Sequence, residues 1–303
     1  MIVFEQLLNG LQFGITLFLM SAGLTLIFGI MGVINLAHGS LYMIGAYAAA
    51  LVAAHTGSAG LALLGGIAAA AAGGIVIEFI VVRRLYERDH LDQVLATFAL
   101  SLIINQGASM LFGRQPLFVS MPAALSGSVT LLPGLVYPVY RLAVIVLGLS
   151  VAAGLFLLIH YTRVGMLVRA GATHRQMVRA LGVHVGQLYT IVFGLGALLA
   201  GLAGVIAGPI TAVQVGMGEQ ILILAFVVVV IGGLGSVRGA LFGALAAGLV
   251  DTMSRAFLPM LFRHLMDGSN ADSLASGMSS ISIYLLMALV LLVRPQGLLA
   301  AKP

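Results

Sequence analysis

The chain contains no cysteine, so neither disulfides nor thiol chemistry is open to it, and no redox compartment is signalled. It is almost as poor in charge. Asp, Glu, Lys and Arg together make up 8% of the 303 residues, about a third of the share in a soluble domain. With hydrophobic residues at 61% and a mean hydropathy of +1.16, this excludes a soluble enzyme and implies an integral membrane protein. No Gly-x-x-x-x-Gly-Lys-Ser/Thr phosphate loop occurs, and no stretch between apolar runs is long enough to fold separately, so no ATP-binding domain is expected. No Asn-Pro dipeptide occurs either, which argues against a pore built on paired Asn-Pro-Ala half-helices. The net charge of +5 does not indicate nucleic acid, because the basic residues gather at membrane boundaries rather than in a stripe.

What is abundant is apolar sequence and glycine, at 39 residues. Glycine lets membrane helices approach through their backbones. A helix needs about 20 apolar residues to cross the hydrocarbon core. Segments 7–28, 60–82, 91–112, 142–160, 188–208 and 239–258 qualify, 221–231 and 281–293 are short, and 32–54 is interrupted by Asn35 and His38. The expected fold is all-α, a single polytopic domain over 1–303 with about eight or nine transmembrane segments, leaving room for one to be broken or re-entrant. The first residues, 1–9, lack the basic region and cleavage site of a signal peptide, so the first apolar segment reads as a retained helix.

Charge sets the expected sidedness. With 83–90 and 161–187 in the cytoplasm, Arg83, Arg84, Arg88, Arg163, Arg169, Arg175, Arg179, Arg238, Arg294 and Lys302 lie inside. Arg114, Arg141, Arg255 and Arg263 lie outside, as the positive-inside rule prefers. The outer loops are then 113–141, 209–220 and 259–280, rich in turn residues.

The segment 161–187 holds four of the fourteen Lys/Arg and none of the nine Asp/Glu. Thr173 and Gln176 have capping-box spacing and Gly182 can supply a left-handed stop. A short helix over 173–182 is expected, with Met177, Ala180 and Leu181 on one face and Arg175 and Arg179 opposite. It either lies among lipid headgroups or docks on a cytoplasmic partner, and the residues alone leave these readings even.

Asn35 and His38 are polar groups near membrane depth, where such groups face a bundle interior or a wet cavity. A purely structural role, locking a helix break, is the stronger reading by about two to one, and no second ligand sits at metal spacing. Asn105 and Gln106 either join helices or line a path. Glu78, one turn before Arg83, reads as a side chain snorkelling to the interface. Asp251 and Arg255 read as an i,i+4 ion pair. Gly232-Gly-Leu-Gly-Ser236 reads as a tight turn rather than a phosphate loop. Gly39-Ser-Leu-Tyr42 and Gly239-Ala-Leu-Phe242 hint faintly at an internal duplication.

Four stretches resemble the permease subunits of bacterial ABC importers for branched-chain amino acids. They are Gly23-Leu-Thr-Leu-Ile-Phe-Gly29 running into Ile34-Asn-Leu-Ala-His-Gly39; Ala180-Leu-Gly-Val183 followed by Leu198-Leu-Ala-Gly-Leu-Ala-Gly204; Gly232-Gly-Leu-Gly-Ser236 with Gly239-Ala240; and Arg294-Pro-Gln-Gly-Leu298. The length resembles the shorter of the family's two permeases. The resemblance implies a non-catalytic, multi-pass protein of the bacterial inner membrane, with 161–187 as a cytoplasmic coupling loop and the C-terminus also inside. It implies a heterodimer with a second permease, the path at their interface, two ATP-binding subunits that carry ATP and Mg, and a periplasmic substrate-binding protein. This chain itself would hold no cofactor. By position, Gly171, Thr173, His174, Arg175, Met177, Ala180, Leu181 and Gly182 would dock on the ATPase. Asn35, His38, Asn105 and Gln106 are the candidates for the path. The family pattern has an acidic residue near His174, and this chain has none. The implied cargo is a branched-chain or other small amino acid or a related small solute. The competing function is an ion-coupled secondary transporter, which usually carries mid-membrane carboxylates; Glu78 and Asp251 both fall near span ends.

Overall fold

The computed structural model describes residues 2–173, 175–180, 182–266 and 268–299. It is helical as expected. The elements are α1 (Ile2–Met31), α2 (His38–Thr56), α3 (Ala59–Ile80), α4 (His90–Phe112), α5 (Val139–Tyr161), α6 (Arg163–Thr173), α7 (Arg175–Ala180), α8 (Val185–Ala207), α9 (Met217–Gly232), α10 (Val237–Arg263) and α11 (Gly268–Val293). A small hairpin, β1 (Ser128–Leu132) with β2 (Leu135–Pro138), interrupts the connection from α4 to α5.

Among the described residues, seven helices are long and apolar enough to cross a membrane: α1, α3, α4, α5, α8, α10 and α11. Two more, α2 with 19 residues and α9 with 16, are shorter. At 1.5 Å rise per residue, α9 covers about 24 Å of a core about 30 Å thick. Each is approached by non-helical chain, 32–37 before α2 and 208–216 before α9. Irregular backbone at this depth is stable only when protein covers it. Val33, Asn35, Ala37 and His38 are accordingly fully buried. Two segments rather than one thus begin inside the bundle.

The starts of these two helices meet. A Cβ on Gly39 would lie 2.4 Å from the Gly218 carbonyl oxygen, and one on Gly218 would lie 2.0 Å from that of Gly39. Only paired glycines allow this crossing. Gly39 therefore finds its counterpart in Gly218, whereas Gly239 lies against Gly232 in the tight turn between α9 and α10.

The centre of the bundle is α1, which packs on α5, α8, α9 and α10. Leu17, Phe18, Leu19, Met20, Leu24 and Ile27 are buried there against residues such as Phe193, Ala200 and Val228. Ringed by other helices, α1 is apolar on every side rather than along a stripe. In contrast α4, α5, α10 and α11 leave most of their surface outside the chain, with Ile103, Leu111, Val146 and Leu289 exposed.

One end of the bundle gathers the connections α3–α4, α5–α8 and α9–α10 and the tail after α11. Arg83 reaches Thr190, Arg238 reaches His160, and Leu298 and Leu299 donate N–H bonds to Ile231 and Gly232. At the opposite end Tyr137 and Arg141 bond Asn9, and Leu117 pairs with Val213.

Candidate functional site

The basic segment folds as two helices rather than one. The first, α6, starts at Arg163 because the Thr162 hydroxyl accepts the Gly165 N–H at 3.1 Å, a side-chain cap. Thr173 is then the last residue of α6 and not a helix start. The expected box fails because the chain is already helical ten residues earlier. The expected stop is in place. Gly182 takes φ +82°, and Gly182 and Val183 donate to Arg179 and Val178.

Burial divides the docking candidates. Gly171 is buried, with Leu188 and Ile30 closest to where its Cβ would stand, so it seats α6 on the permease body. Val168 and Val178 are buried beside it in sequence. Met177 is 62% exposed, and Ala180 and Gly182 are exposed with it. Val178 thus anchors α7 and its neighbours Met177 and Ala180 face out, an apolar surface left uncovered among the described residues. His174 and Leu181, and the side chains of Thr173 and Arg175, lie outside the described residues.

Directly after this segment, α8 is fastened to α3 by a carboxylate. Glu78 is fully buried and turned inward, not snorkelling as its position near the span end suggested. Arg83 donates to it from Nε at 3.1 Å and from Nη2 at 3.0 Å. The Tyr86 hydroxyl donates at 2.5 Å and the Thr190 hydroxyl at 2.9 Å. Arg83 also donates to Thr190 at 2.8 Å, which closes a ring. A carboxylate is stable in such a place only when charge and hydrogen bonds replace water, and four donors do so here. Burial, then the bond to Glu78, push the Tyr86 phenol well above its ordinary range. Tyr86 also stands edge-on to Tyr189 of α8. The clamp therefore joins the start of α8 to the end of α3 and to the α3–α4 connection.

The path candidates fall into two groups. Asn35 and His38 are internal. Asn35 Oδ1 accepts the Ala37 N–H at 3.0 Å, a local turn bond that shapes the entry to α2. Asn35 Nδ2 and both imidazole nitrogens of His38 are buried without a hydrogen-bond partner among the described residues. The segment is held to α4 by Leu36 N–H to Thr97 at 3.1 Å and by Ser40 to Ser101 at 3.2 Å.

Asn105 and Gln106 lie elsewhere, on the outward face of α4. Asn105 Nδ2 donates to Glu219 Oε1 at 2.5 Å. A cavity of about 400 Å³ opens beside them, bordered by Ser109, Arg114 and Val215. Glu219 is the residue the sequence reading missed. It was placed in an outer loop, yet it sits in the first turn of α9, where a helix start favours an acid. Gly216, the helix's N-cap, takes φ +86°, a start that hydropathy does not mark. A polar strip on the outer face of apolar helices suits a wet space or a partner subunit. Asp251 and Arg255 form the expected ion pair at 2.9 Å.

Comparison with known proteins agrees with this architecture. Residues 6–293 match the family model described as the branched-chain amino acid transport system / permease component. The chain is 28% identical over 317 residues to the high-affinity branched-chain amino acid transport system permease protein LivH of Escherichia coli, covering 97% of this chain and 94% of the relative. It is 30% identical over 309 residues to the permease protein BraD of Pseudomonas aeruginosa, covering 97% and 95%. A probable LivH of Methanocaldococcus jannaschii is 27% identical over 258 residues, covering 81% and 79%. No solved structure matches. The chain therefore belongs to the family of branched-chain amino acid transport permease components and is a multi-pass membrane protein.

Proposed function

We propose that this chain is the membrane permease subunit of an ATP-driven, binding-protein-dependent importer for branched-chain or other small amino acids and related solutes. One observation carries the coupling part of this reading: the apolar outer face of α7, with Met177 62% exposed, on a short helix anchored by Val178. A helix so placed offers a partner a rigid surface with an apolar centre and Arg179 beside it. In this reading 161–187 is cytoplasmic and docks in a groove on one of two ATP-binding subunits, which hold ATP and Mg and perform hydrolysis. The C-terminus lies on the same side, a second permease completes the path, and a periplasmic protein delivers cargo.

Closure of the ATPases on ATP carries α7 with its groove. The displacement passes through 182–184 into α8, and through Thr190 and Glu78 into α3. The pair of permeases exchanges inward- and outward-facing states because the ATP-bound motor has different affinities for the two. Packed helices move as bodies rather than deforming. Because this chain lacks an acid near His174, the facing ATPase surface is expected to be acidic where Arg175 and Arg179 approach it.

Ion-coupled transport gains no support. Among the described residues the buried carboxylates are Glu78 and Asp251, and each is paired with an arginine. The test is uptake of labelled leucine by proteoliposomes holding both permeases and both ATPases. Accumulation that requires internal ATP and external binding protein supports the proposal. Accumulation driven by a proton or sodium gradient without ATP overturns it.

A further inference from the structure

A cavity of about 460 Å³ lies between α1, α5, α6 and the start of α10, and the coupling scheme makes no use of it. Its lining changes character along the helix axes. One end is apolar, with Leu26 of α1, Ala152 of α5 and Leu241 of α10. The other carries His160 of α5, Arg169 of α6 and Arg238 of α10, and no Asp or Glu lines the cavity among the described residues. The basic end is the end of the bundle from which α6 and α7 extend.

The basic groups are organised around one aromatic ring. Arg238 lies over Phe156, its guanidinium carbon 5.0 Å from the ring centroid. His160 stacks on the same ring at 4.2 Å. Arg238 Nη2 donates to His160 Nε2 at 2.7 Å, and His160 Nδ1 lies 3.0 Å from the Phe156 carbonyl. Arg169 is held close by a bond to the Ile159 carbonyl. Gly235, Ser236 and Val237, at the N-terminus of α10, border the same space and add the positive end of a helix dipole. Donors from three helices with a dipole behind them fit a phosphate oxyanion.

We infer that this groove binds an anionic phospholipid, with the phosphate among Arg238, His160 and Arg169 and an acyl chain lying along Leu26, Ala152 and Leu241. A lipid is favoured over a soluble phosphate because the apolar wall continues the cavity directly above the cations. On the same two helices, α5 and α10, Leu157 and Phe242 are exposed. A basic pocket between membrane helices at the positively flanked side is where anionic headgroups bind. The groove is distinct from the polar strip at Asn105 and Glu219 and from the exposed face of α7, so it stands whether or not the proposed coupling scheme does.

The experiment uses the assembled transporter in phosphatidylcholine nanodiscs containing a minor share of phosphatidylglycerol. Native mass spectrometry counts the phosphatidylglycerol that stays bound. The wild type should retain it in preference to phosphatidylcholine. Arg238→Gln with His160→Gln removes one permanent charge and the imidazole beside it and should lower that preference about fivefold; Arg238 and His160 are both exposed, so the fold is not at stake. Leu241→Trp fills the apolar end and should reduce retention with the cations intact. Inorganic phosphate in excess should not displace the lipid. Three results overturn the inference: unchanged retention in the double variant, full displacement by inorganic phosphate together with indifference to Leu241→Trp, or cross-linking of Leu241→Cys to the second permease.

Discussion

Removal of the Glu78 carboxylate is the perturbation with the most definite energetic consequence. In Glu78→Ala, Arg83 loses its ion pair. Its side chain is 39% exposed, so it can turn to water, and the pair contributes only about 1 kcal/mol after screening. Thr190 keeps an acceptor, since its hydroxyl also lies 3.1 Å from the Gly186 carbonyl. Tyr86 does not, and its half-buried hydroxyl is left without a partner at a cost of about 1–3 kcal/mol. The sum is about 2–4 kcal/mol. Glu78→Gln preserves volume and an acceptor for Tyr86, so about half of that loss is expected. A double-mutant cycle of Glu78→Gln with Thr190→Val, read by denaturant unfolding of the detergent-solubilised chain, should give a coupling energy of about 1 kcal/mol. If the clamp also transmits motion, Glu78→Gln in the assembled transporter should move less cargo per ATP hydrolysed. Additivity within about 0.3 kcal/mol, with an unchanged ratio of cargo to ATP, refutes the reasoning.

Other expectations are simpler. Gly218→Ala forces a methyl to within 2.0 Å of the Gly39 carbonyl and should cost about 1–3 kcal/mol through overpacking, measurable as a lower unfolding midpoint. Glu219→Gln replaces the charged acceptor of Asn105 in an exposed bond with a neutral one and should change stability by less than about 1 kcal/mol; if the strip lines the path, uptake should fall about tenfold while assembly is preserved. Arg255→Gln leaves the buried Asp251 carboxylate without its charge partner and should cost about 1–3 kcal/mol, read as a lower unfolding midpoint.

Most of the fold was legible because membrane burial writes long apolar runs into the chain. Six of the seven spanning helices coincide with such runs, whereas α11 reaches back from the short run 281–293 to Gly268 through residues expected in an outer loop; even the break around Asn35 and His38 was visible as polar groups in an apolar segment. The resembling stretches turned out to be close-packing points: Gly29 against Gly235, and Gly297 against Gly233. What stayed hidden depends on contacts distant in sequence. Glu78 looked like an interfacial side chain because Thr190, 112 residues away, carries no sign of its role. Glu219 looked like a loop residue because the start of α9 is set by Gly216 and the crossing with Gly39, not by hydropathy. The start of α6 was missed because the Thr162 cap was passed over for the better-known spacing at Thr173. In the docking segment the exposed apolar residue Met177 was legible, while the anchoring role of Val178 and the burial of Gly171 were not, since both follow from how α6 and α7 rest on α8 and α1.

The absence of cysteine makes the decisive measurement clean. Met177→Cys places a single thiol on the outer face of α7, to be labelled with a membrane-impermeant maleimide in inside-out vesicles with and without the ATP-binding subunits. Docking predicts rapid labelling in the permease pair alone, strong protection once the ATPases are assembled, and a rate that changes when ATP is added. Equal labelling in all three conditions would contradict the assignment of α7 as the element through which ATP drives transport.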